Sequence, residues 1–420
     1  MDKVFNIDHK EMKVVHLSTT DFGGAYKAVE RIQNCVRLYG VESKILVRSR
    51  FFDTETTEVI NTPLRRFFSK SRNLLNLLLS KGDVVTDLFG TDMRHNKDIL
   101  DADVIVLHWV NSFISDRSVR QLMELGKPVF WVMHDMWPFT GGCHYDLYCE
   151  SYKSDCASCP MLKKQRLRNI CAFNLKRKRN LFASMNITMI AISRWEQTCA
   201  QESFPLKGKK VIWISNPLNT DIFKPTDDQQ ELREQYKIPE GKKVILFGAD
   251  KALENATKGF SYLVEALRRM DGSKYVAVCF GKAPEKDRIQ LPNIDIKYLG
   301  TIQDEKKLAA WYSLADVFVA PSIQEAFGYT VCEALACGTP VTAFAVGGML
   351  DQIDHRENGY LARLYDVEDL AEGIKFCAEN KKTLGKRARE TVLERNSYEV
   401  IGKKYKEVFE CCRGEETCRR

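Results

Sequence analysis

The feature that most restricts this chain is a repeated pattern of short, consecutively apolar runs separated by amphipathic stretches of helical period. Candidate strands are Lys13–Leu17, Lys44–Val47, Val104–Leu107, Val129–Met133, Thr188–Ile192 and Val211–Ile214. A Pro/Asp-rich break at Asn216–Asp228 follows, and the pattern resumes at Val244–Phe247, Tyr275–Phe280, Ile294–Leu299, Val317–Ala320 and Val341–Phe344. Runs that do not alternate belong to parallel strands covered on both faces. Helical patterns fall between them at Ala25–Tyr39, Ser115–Leu125, Gly259–Met270, Glu305–Leu314 and Tyr329–Cys337. Strand–helix–strand repetition predicts a doubly wound α/β architecture, and its restart after residue 216 predicts two such domains. Ligands of such sheets bind beyond the carboxyl ends of the strands, which places the expected site in a cleft that the domains share.

The 420 residues suffice for two cores, and 44% apolar with 28% charged residues excludes disordered and disulfide-stapled classes. No stretch reaches the roughly 18 apolar residues of a membrane span, and the first residues lack an apolar signal region, so a cytoplasmic location is expected. Net charge is +7, from 63 Lys+Arg against 56 Asp+Glu, which suits phosphate-bearing partners or an anionic membrane surface and equally suits plain solubility.

Two loops carry chemistry. Ser18–Gly24 follows the first strand and opens the first helix, and Gly23-Gly24 permits close backbone approach to an anion. It is not G-x-G-x-x-G, and turn chemistry alone also explains it. After the strand Val317–Ala320, Glu325 lies on a loop and Glu333 in the first turns of the next helix, a Glu-x7-Glu spacing at one strand end. Between them lie the N–H groups of Phe327, Gly328 and Tyr329. Carboxylates accept from sugar hydroxyls while a helix N-terminus holds phosphate, although an isolated pair of this kind can simply be two solvated acids.

The segment Tyr298–Tyr360 resembles the donor-binding domain of glycosyltransferase family 4, the retaining nucleotide-sugar enzymes of GT-B fold. The residues that carry the resemblance are Gly300, Ala315-Asp316, Pro321-Ser322, Glu325, Phe327-Gly328, Glu333-Ala334, Gly338-Thr339-Pro340-Val341, Gly347-Gly348 and Asn358-Gly359. It extends outward to Asn216–Phe223, Lys258-Gly259 and, more weakly, Gly23-Gly24; residues 134–160 look like a bacterial polysaccharide-assembly subgroup. The resemblance implies two Rossmann-like domains facing across a cleft: residues 1–215 binding the acceptor, 216–390 binding the donor, and 391–420 forming a helix that packs back on the first domain. It further implies that Glu333 binds ribose hydroxyls, that Glu325 contacts the sugar, and that Lys258 with the backbone at Phe327–Tyr329 stabilises the leaving diphosphate. Gly24 falls on the same phosphate side. Where the family usually has an arginine, this chain has Lys251, a point charge without the bidentate fork.

In the first domain His134 ends a strand, where an imidazole can hydrogen-bond a sugar hydroxyl or act as general acid or base. The family's cleft-facing histidine at the matching position favours a functional role; His108-Trp109, Trp137 and Phe139 are candidates to line the same side or to pack the core. Even scattering of 14 cysteines would put about 0.6 in a 17-residue window, yet Cys143, Cys149, Cys156 and Cys159 share the loop 143–159. Four thiolates there could close a structural zinc, against unligated cysteines or an oxidation-sensitive pair. Residues 64–81 read as an interfacial amphipathic helix or one packed on the domain's own core. The basic stretch 163–179 reads as a solvated helix face, with no nucleic acid expected.

The expectation is a retaining hexosyltransferase that needs no catalytic cofactor, with His134, Glu325 and Lys258 as catalytic residues. It would use a nucleotide-diphospho-sugar donor and a glycan or lipid-linked acceptor in surface-polysaccharide assembly, peripheral to the cytoplasmic membrane face. The alternatives are a sugar-nucleotide epimerase of the same fold and a non-catalytic nucleotide-sugar-binding scaffold.

Overall fold

The computed structural model describes residues 11–51, 57–60, 84–85, 90–162, 169–227, 229–248, 256–282 and 288–414. The expected amphipathic stretch 64–81 and Lys251 lie outside the described residues. The chain divides into two compact units. The first contains residues up to Ala191, Cys199–Ile214 and the chain from Ile401; the second contains Ile192–Thr198 and Ser215–Val400. Two details differ from the sequence boundaries: a short piece before residue 199 belongs to the second unit, and the return to the first begins at Ile401 and not at residue 391. The physical reason for the later return is visible in the helix Lys381–Asn396. Its Arg389 guanidinium donates to the carbonyls of Thr220, Phe223 and Ala336, which ties the helix to the second unit.

In the first unit seven parallel strands are ordered β3-β2-β1-β4-β5-β6-β7. They are β1 (Met12–Thr20), β2 (Val41–Ser49), β3 (Thr57–Val59), β4 (Val104–Leu107), β5 (Val129–Val132), β6 (Thr188–Ala191) and β7 (Val211–Trp213). In the second unit six parallel strands are ordered β10-β9-β8-β11-β12-β13. These are β8 (Lys243–Gly248), β9 (Tyr275–Phe280), β10 (Ile296–Gly300), β11 (Val317–Ala320), β12 (Val341–Phe344) and β13 (Gly359–Ala362). Each order reverses once, between β1 and β4 and between β8 and β11, and the crevice at such a reversal is where doubly wound folds bind ligands.

Consecutive apolar residues are explained by two-sided burial: every residue of β4, β5, β11 and β12 is buried. Helices start where a side-chain oxygen satisfies an orphan N–H, as Ser115 does for Ser118 and Asp304 for Lys306 and Lys307. The first core includes Leu17, Ile32, Ile45 and Phe130, and the second includes Tyr312, Phe318 and Phe344. The last helix, Tyr398–Gly414, closes the first core: Phe409 is fully buried with its ring 5.1 Å from that of Phe130. Its Gly402 lies so close to the carbonyl oxygen of Cys35 that a Cβ would sit 2.3 Å away.

Truncating such an aromatic removes transfer energy and leaves a cavity, worth about 3–5 kcal/mol. Phe409→Ala should therefore lower the unfolding midpoint of the first unit in a denaturant titration, with the transition of the second unit held.

Candidate functional site

In the second unit the chemistry collects at the carboxyl ends of β8 and β11, on the two sides of the strand-order reversal. The loop after β8 returns through Ala256–Lys258 and meets the loop after β11, where the Ile323 N–H donates to the Thr257 carbonyl at 2.8 Å. Gly259 makes this approach feasible. Its φ is +62°, and a Cβ would stand 1.9 Å from the Pro321 oxygen, so no other residue fits. Lys258 is thereby delivered to Glu325, with Nζ 2.5 Å from Oε2. The Glu325 backbone is fixed from the other side by Gly347 and Gly348: the Gly348 N–H donates to the Glu325 carbonyl at 2.9 Å. At Gly347 φ is +53°, and a Cβ would lie 2.0 Å from that same oxygen. The Gly347-Gly348 pair is therefore a cradle for the Glu325 loop.

A pocket opens here, lined by Gly248, Lys258, Gly281, Lys282, Ser322 and Glu325 among others, with Phe247 and Phe280 as apolar wall. The helix Tyr329–Ala336 begins beside it from left-handed Gly328, with no side chain capping its first turn. Glu333 is placed differently from Glu325. It is 5% exposed, does not line this cavity, and its Oε2 accepts from the Tyr312 hydroxyl at 3.2 Å.

In the first unit, buried polar side chains form two hydrogen-bonded sets. One joins His16 inside β1, His108 after β4 and His134 after β5. His16 Nδ1 is 2.8 Å from His108 Nε2, and His108 Nδ1 is 3.0 Å from His134 Nε2. Burial lowers all three imidazoles: His16 to about 3, with Arg37 adding to the effect, and His134 to about 4, where Asp135 opposes the fall. His108 is held well below the usual range by burial and by its two histidine neighbours. The second set centres on Asp135, which accepts from the Trp137 N–H at 2.8 Å, Trp109 Nε1 at 3.1 Å and His144 Nδ1 at 2.7 Å. Burial pushes this carboxyl up, but the facing His144 and these donors hold it below the ordinary carboxylate value.

Sequence reasoning singled out His134 and His108 but not His16, Asp135–His144 or Tyr312 as partners. The available signal for His16 was an imidazole interrupting the apolar run Val14–Leu17. Trp137 and Phe139 are buried and serve the core, with Trp137 Nε1 donating to the Val85 carbonyl. Gly24 opens the helix Gly24–Arg37 with nothing close to its Cβ position. Residues 169–179 of the basic stretch are helical, within Asn169–Ser184, yet this is not simply a solvated face. Lys178 donates to the carbonyls of Trp137 and Thr140, and Arg177 pairs with Asp116.

Cys143, Cys149, Cys156 and Cys159 line one small cavity, joined by Cys171 from that helix, which sequence spacing did not reveal. Burial pushes the thiols of Cys143 and Cys156 up to about 12, and Cys171 is raised by its hydrogen bond to Cys159 and by burial. The donor chemistry suits zinc, but the placement does not: among the described residues no three His, Cys, Asp or Glu side chains are set to hold one ion.

Residues 228–392, which span β8–β13 and the Lys258–Glu325 site, match the family described as glycosyl transferases group 1. The matched segment lies within the second unit. The chain is 28% identical over 195 residues to N-acetyl-alpha-D-glucosaminyl L-malate synthase of Bacillus anthracis, covering 43% of this chain and 49% of that protein. It spans about half the length of the curated relatives it matches. Its fold matches sucrose-phosphate synthase of Thermosynechococcus elongatus, with a TM-score of 0.67 at 19% identity, over 96% of this chain and 99% of that one. It also matches Anabaena HepE in complex with UDP-glucose, with a TM-score of 0.65 at 19% identity, over 96% and 100%. These likenesses establish the GT-B glycosyltransferase fold for the two Rossmann-like units. Among the described residues no helix is long and apolar enough to cross a membrane.

The buried imidazoles have a consequence for stability. A histidine whose folded-state pKa is depressed binds its proton more readily when unfolded, so stability is complete above about pH 6.5 and falls as the pH drops towards 4. The loss should approach about 1.4 kcal/mol per such histidine for each pH unit below 6.5. Denaturant titrations from pH 7.5 to 5 should show it, and His16→Phe should flatten the slope.

Proposed function

We propose that this protein is a retaining glycosyltransferase that moves a hexose from a nucleotide-diphospho-sugar to a glycan or lipid-linked acceptor, in the assembly of a surface polysaccharide. The observation that carries the reading is the Lys258–Glu325 pair at the strand-order reversal of a group 1 glycosyltransferase domain. A cation and a carboxylate side by side in one cavity match a ligand that offers both phosphate and sugar hydroxyls.

In this reading the second unit holds the donor and the first supplies acceptor-side groups, His134 among them. Glu325 accepts from sugar hydroxyls, Glu333 from ribose hydroxyls in exchange for Tyr312, and Lys251 adds a second cation. The bond from the anomeric carbon to the diphosphate oxygen breaks with both electrons leaving on that oxygen. Lys258, with the helix start at Phe327, Gly328 and Tyr329, stabilises the charge that develops there. The acceptor hydroxyl forms the new bond on the same face, and its proton passes to the departing phosphate oxygen. UDP-glucose is the first donor to test, because it is the ligand named for HepE. A cytoplasmic or membrane-peripheral location belongs to the same proposal.

A structural zinc on Cys143, Cys149, Cys156 and Cys159 is a separate proposal, supported by their shared cavity with Cys171. It requires their sulfurs to draw together. About one zinc per chain in reduced protein supports it, and a content well below one overturns it.

The function is tested with a panel of nucleotide sugars. A matching donor should raise the melting temperature by mass action and be consumed only with acceptor present. Lys258→Met should cut turnover by about 10²–10³, the loss expected for one stabilising contact to the leaving group. Consumption without acceptor would identify an epimerase, and binding with no turnover a scaffold.

A further inference from the structure

His16, His108 and His134 of the first unit are linked in series by two ring-to-ring hydrogen bonds. Neutral imidazole has one N–H and one lone pair, and each link in the chain joins an Nδ1 to the next Nε2. His108 sits in the middle, so its tautomer dictates both neighbours. If His108 carries its proton on Nδ1, it donates to His134 and accepts from His16, and all three are Nδ1–H. If it carries the proton on Nε2, all three are Nε2–H. No mixed arrangement makes both bonds. Burial keeps each ring in its neutral state, so the choice is between two global arrangements.

One observation selects between them. His16 Nε2 is buried without a partner, so the Nε2–H arrangement would orphan an N–H there, whereas the Nδ1–H arrangement leaves only a lone pair. Orphaned buried N–H groups are the rarer defect.

We infer that the three imidazoles form a one-directional chain, each protonated on Nδ1, which fixes His134 as a neutral hydrogen-bond donor at the end of β5 and not as a general base. His16 and His108 are positioning residues for that donor. The geometry supports this order: the rings come from β1, β4 and β5, adjacent strands of one sheet, with centroids 5.1 Å and 5.3 Å apart. The chemistry recognised by His134 is then an oxygen lone pair, as on a sugar or phosphate oxygen. This rests on the proposed transferase reading only for the identity of that oxygen; the tautomer is a property of the folded chain.

The test is long-range ¹H–¹⁵N correlation on the full-length protein labelled in its 7 histidines, assigned by single-histidine substitution. The expected result is a protonated-type Nδ1 and a lone-pair-type Nε2 signal for His16, His108 and His134. A protonated Nε2 on any of the three overturns the inference. This readout needs no turnover, so an inactive wild-type protein would defeat the transferase proposal and leave the chain intact. Where turnover is found, His134→Asn, whose amide can set an N–H near the former Nδ1, should recover at least about tenfold of the activity lost in His134→Ala. Equal loss in the two variants overturns the donor role.

Discussion

A strand covered on both faces has no place along its length for an uncompensated polar group, because burial without a partner costs several kcal/mol. Chemistry in such a chain is pushed to the strand ends, and of those the carboxyl ends, which open into helix N-termini, are suited to anions. Both units obey this constraint. Lys258 and Glu325 follow β8 and β11, and His108 and His134 follow β4 and β5. His16, buried within β1, is tolerated because it joins a chain that reaches a strand end, at the expense of a single unpartnered lone pair.

The two units solve the problem of holding polar groups in low dielectric in opposite ways. The second uses opposite charges, with Lys258 and Glu325 each compensating the other in a partly open cavity. Such a pair is easily re-partnered, since an arriving phosphate can take the ammonium and an arriving hydroxyl the carboxylate. The first unit mostly avoids charge. Its three histidines remain neutral and spend their hydrogen bonds on one another, which fixes their orientation without an ion to desolvate. Asp135 is the counterexample that shows the cost: a buried carboxylate there requires donors from His144, Trp109 and the Trp137 backbone together.

How much was legible follows from the same physics. β4, β11 and β12 were readable to the residue, because two-sided burial forces uninterrupted apolar runs. β3 and β13 were not: the first reads Thr-Glu-Val, and the second starts at a glycine and leaves Leu361 only partly buried, so neither writes a run. The Gly347-Gly348 pair was visible as a motif, but its reason was not, since contact with the Glu325 carbonyl exists only after β12 has brought the chain back. Cys171 escaped because it joins the cysteine loop from a helix, beyond any local spacing rule. In the basic stretch, charge suggested solvent, while Lys178 in fact satisfies two loop carbonyls.

Glu333 shows how far motif and geometry can be pressed together. Its spacing to Glu325 suggests two equivalent carboxylates, yet one borders a cavity and the other is buried against Tyr312. Tyr312 is itself fixed by aromatic neighbours, with Phe318 at 5.4 Å and Phe280 at 5.8 Å, so its hydroxyl is a rigid donor. Phe280 also walls the cavity and precedes the Gly281-Lys282 turn at its edge. Tyr312 therefore touches both the buried carboxylate and the cavity wall. A ligand that displaced the Phe280 ring would disturb the packing that aims the Tyr312 hydroxyl at Glu333. The second carboxylate is thus joined to the cavity wall by packed side chains, a relation that arises in three dimensions and that no spacing along the chain could express.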